Sequence, residues 1–218
     1  KIPINMIPTA VLYQNAAIGH HPQILQDIHL SSKNIAIYQR DTQQLNGELD
    51  QIREQNIECR AKGTIEEVLL SLENYFDHNL PECPALLADI SALLSSFQKI
   101  TKATSYRLLL ATVKTNMCRR FHTDINDLRM LCTYIGQGTL WLPDEAVNQK
   151  AVARGSNQEI VADKQLIQQA STGDVVILKG ALYEGANPIL HRSPSIEKHG
   201  EQRLLLRIDT NDFLNSLS

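Results

Sequence analysis

The sequence predicts an α+β protein in which a mainly helical N-terminal region, residues 1–103, packs on a β-rich region, residues 104–218, as one compact unit. Before residue 103 the apolar residues recur at helical spacing, whereas after it short apolar runs alternate with glycine-containing turns. Hydrophobic residues make up 43% of the chain and charged residues 21%, which is ordinary for a globular domain. Many short strands separated by turns favour a sandwich, a barrel or a jelly roll.

The N-terminal region is predicted to contain one short strand, at 34–39, and three helices. The first helix covers the polar segment 41–56, in which leucine and isoleucine recur at helical spacing. Thr64 begins the second helix as its N-cap, because Glu67 follows three residues later in a capping-box pattern. Pro84 begins the third, since proline fits the first turn of a helix. We expect the three helices to form a layer on a sheet.

The C-terminal region is predicted to contain seven strands. They cover 106–115, 118–123, 129–135, 139–142, 175–179, 189–191 and 203–209. The glutamine-rich segment 148–172 interrupts them and predicts an insertion over a barrel rim, with one helical patch at 163–170.

Composition argues against several classes of partner. The formal net charge is −3, so no basic field predicts binding to nucleic acid or to an anionic membrane. No apolar run is long enough to span a bilayer. The four cysteines form no CxxC pair, which argues against a zinc ribbon or a disulfide scaffold and favours a reducing compartment. With no secretory signal pattern at the start, we expect a cytoplasmic protein.

Two histidines and one aspartate are the candidate metal ligands. On a strand, His122 and Asp124 project from the same face about 6.6–7 Å apart at Cα. Such a pair alone is common and is more often a surface histidine beside a turn aspartate. His191, at the end of a short apolar strand, adds a second imidazole. Two histidines and one carboxylate form the facial triad of non-haem iron(II) oxygenases, which leaves coordination positions open for a co-substrate and dioxygen.

The last predicted strand carries a candidate anion contact. Alternation places Arg203, Leu205, Arg207 and Asp209 on one face, and a buried guanidinium needs an anion. One interpretation is that this face is solvated, or that Arg207 pairs with Asp209. The other is that Arg203 binds the carboxylate of an organic acid, because its offset from His191 suits a neighbouring strand at the depth of the metal.

Two further residues are weaker candidates for contact with the same ligand. Lys179 is a second candidate anion contact, although a charge at a strand end is the commoner reason for such a lysine. Tyr134 is a candidate pocket residue, although core packing is the commoner explanation for a tyrosine there. Nucleophile-elbow, P-loop and dinucleotide-binding motifs are absent from the sequence.

The order of these residues resembles that of prolyl-4-hydroxylase-type Fe(II)/2-oxoglutarate dioxygenases. The resemblance covers about residues 118–209 and rests on His122-x-Asp124, Thr133-Tyr134, Gly136-Gln-Gly138, Gly173-Asp174, His191 and Arg203. It departs from that pattern at Ile135-Gly136, where those enzymes have Leu-Asn, and Arg203 stands later than their basic residue. The resemblance implies a double-stranded β-helix (jelly-roll, cupin-like) core that binds Fe(II) through the three metal ligands and 2-oxoglutarate through Arg203.

A second resemblance covers most of the chain. The strings Cys-Arg-Arg-Phe-His-Thr-Asp, Thr-Tyr-Ile-Gly-Gln-Gly-Thr-Leu-Trp-Leu-Pro and His-Arg-Ser-Pro look like a bacterial domain-of-unknown-function family, DUF1826. Members of that family are sometimes encoded near zinc-homeostasis GTPases, which implies a link to metal supply but names no reaction.

The sequence therefore predicts an Fe(II)/2-oxoglutarate-dependent dioxygenase that hydroxylates a small-molecule or protein substrate. Two alternatives stay open. One is a non-catalytic metal-binding protein of the same fold, which would hold zinc or iron in metal homeostasis. The other is a cupin-type metal-dependent hydrolase or isomerase, in which a metal-bound water is the reactant.

Overall fold

The computed structural model describes residues 13–185, 187–197 and 200–210. The strands in these residues are β1 (Ala16–Gly19), β2 (Ile35–Tyr38), β3 (Glu58–Gly63), β4 (Tyr106–Val113), β5 (Leu128–Ile135), β6 (Leu140–Trp141), β7 (Gln168–Gln169), β8 (Val175–Lys179), β9 (His191–Arg192) and β10 (Arg203–Thr210). The α-helices are α1 (Asn46–Ile52), α2 (Ile65–Asn79), α3 (Pro84–Thr101) and α4 (Asn157–Ile160).

The strands form one large and one small sheet. The large sheet has seven strands in the order β1-β2-β8-β5-β10-β4-β3, and the small sheet has three in the order β7-β6-β9. β1 and β2 pair in parallel, whereas β10 runs antiparallel to β4 and β5 on its two sides. The chain is thus a mixed α and β protein built on a large sheet.

Helices cover one face of the large sheet. The largest apolar cluster joins Leu206 and Ile208 of β10 to Leu72 of α2 and to Ile90 and Phe97 of α3. All five side chains are buried, so their removal from water stabilises the contact between the helices and the sheet.

The small sheet packs against the opposite face. Trp141 of β6 lies in a second apolar cluster with Leu131 of β5, Val176 of β8 and Leu205 of β10. Leu205 therefore faces the small sheet while its neighbours on β10 face the helices, as the predicted alternation requires.

The strongest local signals in the sequence correspond to observed helix starts. Thr64 caps α2 and forms the reciprocal capping box with Glu67, and Pro84 is the first residue of α3. None of the helices in the described ranges combines the length and apolar character needed to cross a bilayer.

Several predicted elements differ from the observed ones. The segment 41–56 forms only a 3₁₀ turn followed by the short helix α1. The helical patch expected at 163–170 is wrong, because a 3₁₀ turn and strand β7 lie there. The strand expected at 118–123 is reduced to one bridge between His122 and His191.

Two strands of the large sheet, β1 and β3, lie in the N-terminal region and had no clear sequence signal. β3 alternates exposed charged residues with the small buried residues Cys59 and Ala61. Such a strand at the edge of a sheet carries little of the β-branched character that marks strands in sequence.

Candidate metal centre

The three predicted ligands meet between two backbone segments. His122 and Asp124 lie in the connection between β4 and β5, and His191 begins β9. The backbones of His122 and His191 exchange two hydrogen bonds of 3.0 Å, and their ring centroids lie 4.6 Å apart. Residues distant in sequence are thus held together by main-chain pairing.

The segment after His122 is anchored on the turn that follows β8. The backbone N–H of Ala181 donates to the carbonyl of Asp124 at 2.8 Å, and that of Leu182 donates to the carbonyl of Asn126 at 2.9 Å. A Cβ at Gly180 would overlap the backbone oxygen of Asn126, so glycine is required for this close approach. These contacts therefore fix the backbone position of Asp124.

One donor atom from each of the three side chains lies within 4.8 Å of the others. His122 Nε2 is 3.7 Å from Asp124 Oδ1, and His191 Nε2 is 3.3 Å from Asp124 Oδ2. Asp124 and His191 are buried and His122 is half-buried. The cluster is therefore open to solvent mainly on the His122 side.

Backbone carbonyls orient both imidazoles. His122 Nδ1 lies 2.9 Å from the carbonyl oxygen of Arg120, and His191 Nδ1 lies 3.3 Å from that of Ile189. A carbonyl only accepts, so in each neutral ring Nδ1 carries the proton and Nε2 presents a lone pair. The two Nε2 atoms then face an ionised carboxylate without a proton between them, an arrangement that a cation would stabilise.

Electrostatics favour the ligand forms of Asp124 and His122 at neutral pH. Burial opposes ionisation of Asp124, but the contact with His191 and the charge of Arg129 lower the pKa of Asp124 to about 2. Burial, followed by the nearby His191, lowers the pKa of His122. The cluster thus holds one carboxylate and an imidazole that resists protonation.

An ion-pair network holds the Asp124 carboxylate in place. Arg129 Nη1 lies 2.5 Å from Asp124 Oδ1, and Arg129 Nε lies 2.5 Å from Asp209 Oδ1. Asn126 Nδ2 donates to the same Asp209 oxygen at 3.2 Å. Asp124 Oδ2 is buried and accepts no hydrogen bond in this arrangement. That oxygen, together with the two Nε2 atoms, fits a metal ion.

Arg203 is enclosed between the sheets without a carboxylate partner. It is 1% exposed, its Nη2 donates to Thr133 Oγ1 at 3.0 Å, and its Nε has no hydrogen-bond partner. Burial lowers the pKa of its guanidinium to about 10. Within the described part of the chain this buried cation pairs with no acidic side chain, in contrast to Arg207, which pairs with Asp209 at 3.2 Å.

Tyr134 and Lys179 lie on the helix-covered face of the large sheet. Tyr134 OH donates to Asp89 Oδ2 of α3 at 2.6 Å, and Lys179 Nζ donates to the carbonyl of Leu30 at 2.9 Å. Thr133, the neighbour of Tyr134 on β5, faces Arg203 instead. The structure therefore brings neither Tyr134 nor Lys179 to the cluster, which corrects the expectation that they contact the same ligand as Arg203.

Sequence reasoning gave no role to Arg129, and it considered Asp209 only as a partner of Arg207, a pair that the structure contains. Their one available signal is that each stands at an inward position of its strand, and they are direct partners in the pairing of β5 with β10. Arg129 and Asp209 are 80 positions apart along the chain, so no local sequence pattern predicts their pairing.

The model of a family described as a protein of unknown function (DUF1826) matches residues 19–209. A comparison with curated proteins gives no match.

Similar solved structures include three proteins. A dioxygenase for auxin oxidation from Arabidopsis thaliana, in a 2-oxoglutarate complex, is 9% identical with a TM-score of 0.40, covering 71% of this chain and 61% of that one. A full-length protein from Neurospora crassa, in complex with α-ketoglutarate and 5-formyluracil, is 17% identical with a TM-score of 0.33, covering 65% and 48%. A prolyl-4-hydroxylase from Pseudomonas putida is 12% identical with a TM-score of 0.35, covering 77% and 94%. The chain thus spans less than two thirds of the first two proteins, and likeness at this level assigns no activity.

Proposed function

The chain belongs to the DUF1826 family, and we propose that it is a non-haem Fe(II)- and 2-oxoglutarate-dependent dioxygenase. The convergence of His122, Asp124 and His191, with their electron-pair donors facing one another, carries the proposal. Two histidines and a carboxylate are the ligand set of this class of iron enzyme.

The path of the chain supports a double-stranded β-helix. From β4 onward, the chain passes back and forth between the sheets: β4, β5, β8 and β10 belong to the large sheet, and β6, β7 and β9 form the small one. Between β4 and β5, His122 bridges to His191 of β9. We infer from this alternation a jelly-roll core, with α1–α3 as its outer helical layer. Such a core places the ligands between the sheets, with the cluster open to solvent on the His122 side.

His122, Asp124 and His191 would hold the iron. The backbone carbonyls fix the two imidazole rings, and Arg129 fixes the carboxylate, so the protein prepares three ligands on one side of the ion. Iron and 2-oxoglutarate together supply dioxygen activation for hydroxylation of a C–H bond.

Arg203 would hold the distal carboxylate of 2-oxoglutarate. A buried guanidinium without a counterion is costly, and a carboxylate can accept its Nε and Nη donors as a bidentate pair. Leu205 and Leu131 lie in the apolar cluster on the same face, so they would keep this part of the site dry. In a low-dielectric site the charge pair gains strength.

The test uses the full chain freed of metal under anaerobic conditions. We expect a visible absorption band that requires both Fe(II) and 2-oxoglutarate, at one equivalent of each. Asp124→Ala and His122→Ala should abolish the band, whereas His78→Ala, an exposed histidine of α2, should retain it.

Other outcomes of this titration would favour the alternatives. Iron or zinc bound at the triad with no response to 2-oxoglutarate would contradict the dioxygenase and support a metal-binding role in homeostasis. Zinc-dependent hydrolysis or isomerisation without dioxygen uptake would support the cupin-type alternative.

A further inference from the structure

A groove with several cationic side chains lies on the large sheet, and three ion pairs connect it to Asp124 of the metal centre. It has a volume of about 260 Å³ and lies on β3, β4 and β10, where Arg60, Lys62, Arg107 and Arg207 line it together with Leu109. Chain-wide the net charge is negative, so this local concentration of positive charge is not a general property of the surface.

Strand register places Arg60 and Arg207 on either side of the same residue of β4. Leu109 of β4 is paired with Arg60 of β3 on one side and with Arg207 of β10 on the other. Adjacent strands lie about 4.8 Å apart, so the Cα atoms of Arg60 and Arg207 are about 10 Å apart across Leu109. Two long side chains on the same face at this separation can reach one small anion between them.

Both arginines keep their terminal amino groups available. Arg60 uses Nε to pair with Glu58 at 2.8 Å, and Arg207 uses Nε to pair with Asp209 at 3.2 Å. Within the described residues, the Nη groups of these two arginines make no hydrogen bond. A guanidinium binds carboxylate and phosphate oxygens through such paired N–H groups.

The groove is linked to the metal ligands by direct contacts. Arg207 contacts Asp209, Asp209 contacts Arg129, and Arg129 contacts Asp124. Burial has the largest effect on the pKa of Arg207 and lowers it. The charge of Asp209 raises this pKa, whereas the charges of Arg129 and Arg107 lower it. The cations here are therefore close enough to repel one another, and an added anion would relieve that repulsion.

We propose that this groove binds the anionic group of the substrate, a carboxylate or a phosphate, and so places the remainder of the substrate beside the metal. The inference rests on the proposed function, because the groove serves a substrate only where the metal centre is an active site. It adds a substrate class, oxyanion-bearing molecules, that the metal ligands alone do not indicate.

The experiment measures anion binding without metal, so that it is independent of the chemistry at the triad. The full chain, labelled with ¹⁵N and freed of metal, is titrated with inorganic phosphate and separately with acetate. The arginine Nε–Hε signals are followed and assigned by single substitutions. We expect saturable shifts of the Arg60 and Arg207 signals. The anion that saturates at the lower concentration indicates whether the groove prefers a phosphate or a carboxylate.

Variants sharpen the test. Arg207→Gln should weaken anion binding about tenfold, because it removes a charge-assisted contact. Arg60→Gln, at an exposed position, should have a similar effect without risk to the fold. Arg119→Gln is the matched control, because Arg119 is exposed and paired with Glu197 elsewhere on the surface, and it should leave binding unchanged.

Equal, non-saturating shifts at Arg60, Arg207 and Arg119 would overturn the inference, since they would indicate general screening by salt. An absorption band with Fe(II) and 2-oxoglutarate, together with no saturable shift of the arginine signals, would contradict the anion-binding role of the groove and leave the dioxygenase proposal standing. Saturable shifts without that band would defeat the dioxygenase and leave an anion site without a substrate role.

Discussion

The two faces of the large sheet each bury an arginine, but the groups that surround the two charges differ. Arg40, after β2, makes a bidentate pair with Asp89 of α3 at 2.6 and 2.9 Å, and Tyr134 donates to the same carboxylate. Arg203, on the opposite face, hydrogen-bonds among the described side chains only with the hydroxyl of Thr133. The first arginine is neutralised within the fold and the second is not.

The pKa values follow this difference. Burial acts against the charge of Arg40, yet the hydrogen bond and charge of Asp89 outweigh it and raise the pKa. Burial alone lowers the pKa of Arg203 to about 10. A paired buried arginine holds elements together, whereas an unpaired one keeps binding free energy available for an anionic ligand.

The largest effect is expected on the paired side. Asp89→Ala leaves the charge of Arg40 buried without a counterion, so we expect the free energy of unfolding to fall by about 3–5 kcal/mol. Urea unfolding measures it, with Asp77→Ala at an exposed position of α2 as the control. Equal stability of the two variants would show that Asp89 does not compensate Arg40.

Arg203→Gln should act on ligand binding instead of stability. Loss of a charge-assisted bidentate contact should weaken 2-oxoglutarate binding by about 2–5 kcal/mol, measured by the absorption titration. Because the pKa of Arg203 is lowered in the folded state, its charged form costs stability at neutral pH, and that cost disappears only as pH rises beyond about 10. Removing the charge should therefore not lower the free energy of unfolding.

Two results would break this part of the comparison. Unchanged 2-oxoglutarate affinity in Arg203→Gln would remove the co-substrate role from Arg203. A loss of stability as large as that of Asp89→Ala would show that Arg203 serves the fold. Arg53→Gln, at an exposed position on the surface, provides the matched control in both measurements.

A third arginine, Arg129, is half-buried and combines both roles. Arg129 contacts both Asp209 and Asp124, so it supports the fold and also orients a proposed ligand. Arg129→Gln should weaken metal binding by about 10–100-fold, measured by competition with a chelator. Arg129→Lys should recover part of the affinity, because a cation remains beside Asp124, and failure of that rescue would argue against an electrostatic role.

How far the sequence could predict these features depends on how local their signals are. α2 and α3 could be predicted because Thr64, Glu67 and Pro84 act within one helical turn. The convergence of His122 with His191 was expected from their chemistry, and Arg203 was expected to face inward by strand alternation. The helix starts and the strand alternation needed only short windows of sequence, whereas the convergence of the two histidines followed from the known ligand preferences of iron.

Features that depend on distant pairing could not be predicted in this way. Alternation on β5 separates Tyr134 from Thr133, but it does not reveal which face the helices cover, so it could not exclude Tyr134 as a pocket residue. The contact of Arg129 with Asp209 depends on the register of β5 with β10. Edge strand β3 lacked apolar bulk, although it contributes Arg60 and Lys62 to the groove.

The smallest expected effects come from Thr133 and Tyr134, which are neighbours on β5. The Thr133 hydroxyl contacts Arg203, and the Tyr134 hydroxyl contacts Asp89, the partner of Arg40. Thr133→Val removes the hydroxyl that Arg203 contacts, and Tyr134→Phe removes the one that contacts Asp89. Each lost hydrogen bond should cost about 1 kcal/mol, but in different measurements. Thr133→Val should weaken 2-oxoglutarate binding about fivefold, because the guanidinium loses its positioning contact.

Tyr134→Phe should instead lower the free energy of unfolding and leave 2-oxoglutarate affinity unchanged, since its ring faces α3 and not the metal centre. The two variants remove the same group one residue apart, so each controls for the other. If both lowered stability and neither altered affinity, Thr133 and Arg203 would belong to the packing of the two sheets. If Tyr134→Phe weakened 2-oxoglutarate binding, the two faces would be coupled through β5, because no direct contact of Tyr134 with the ligand cluster exists among the described residues.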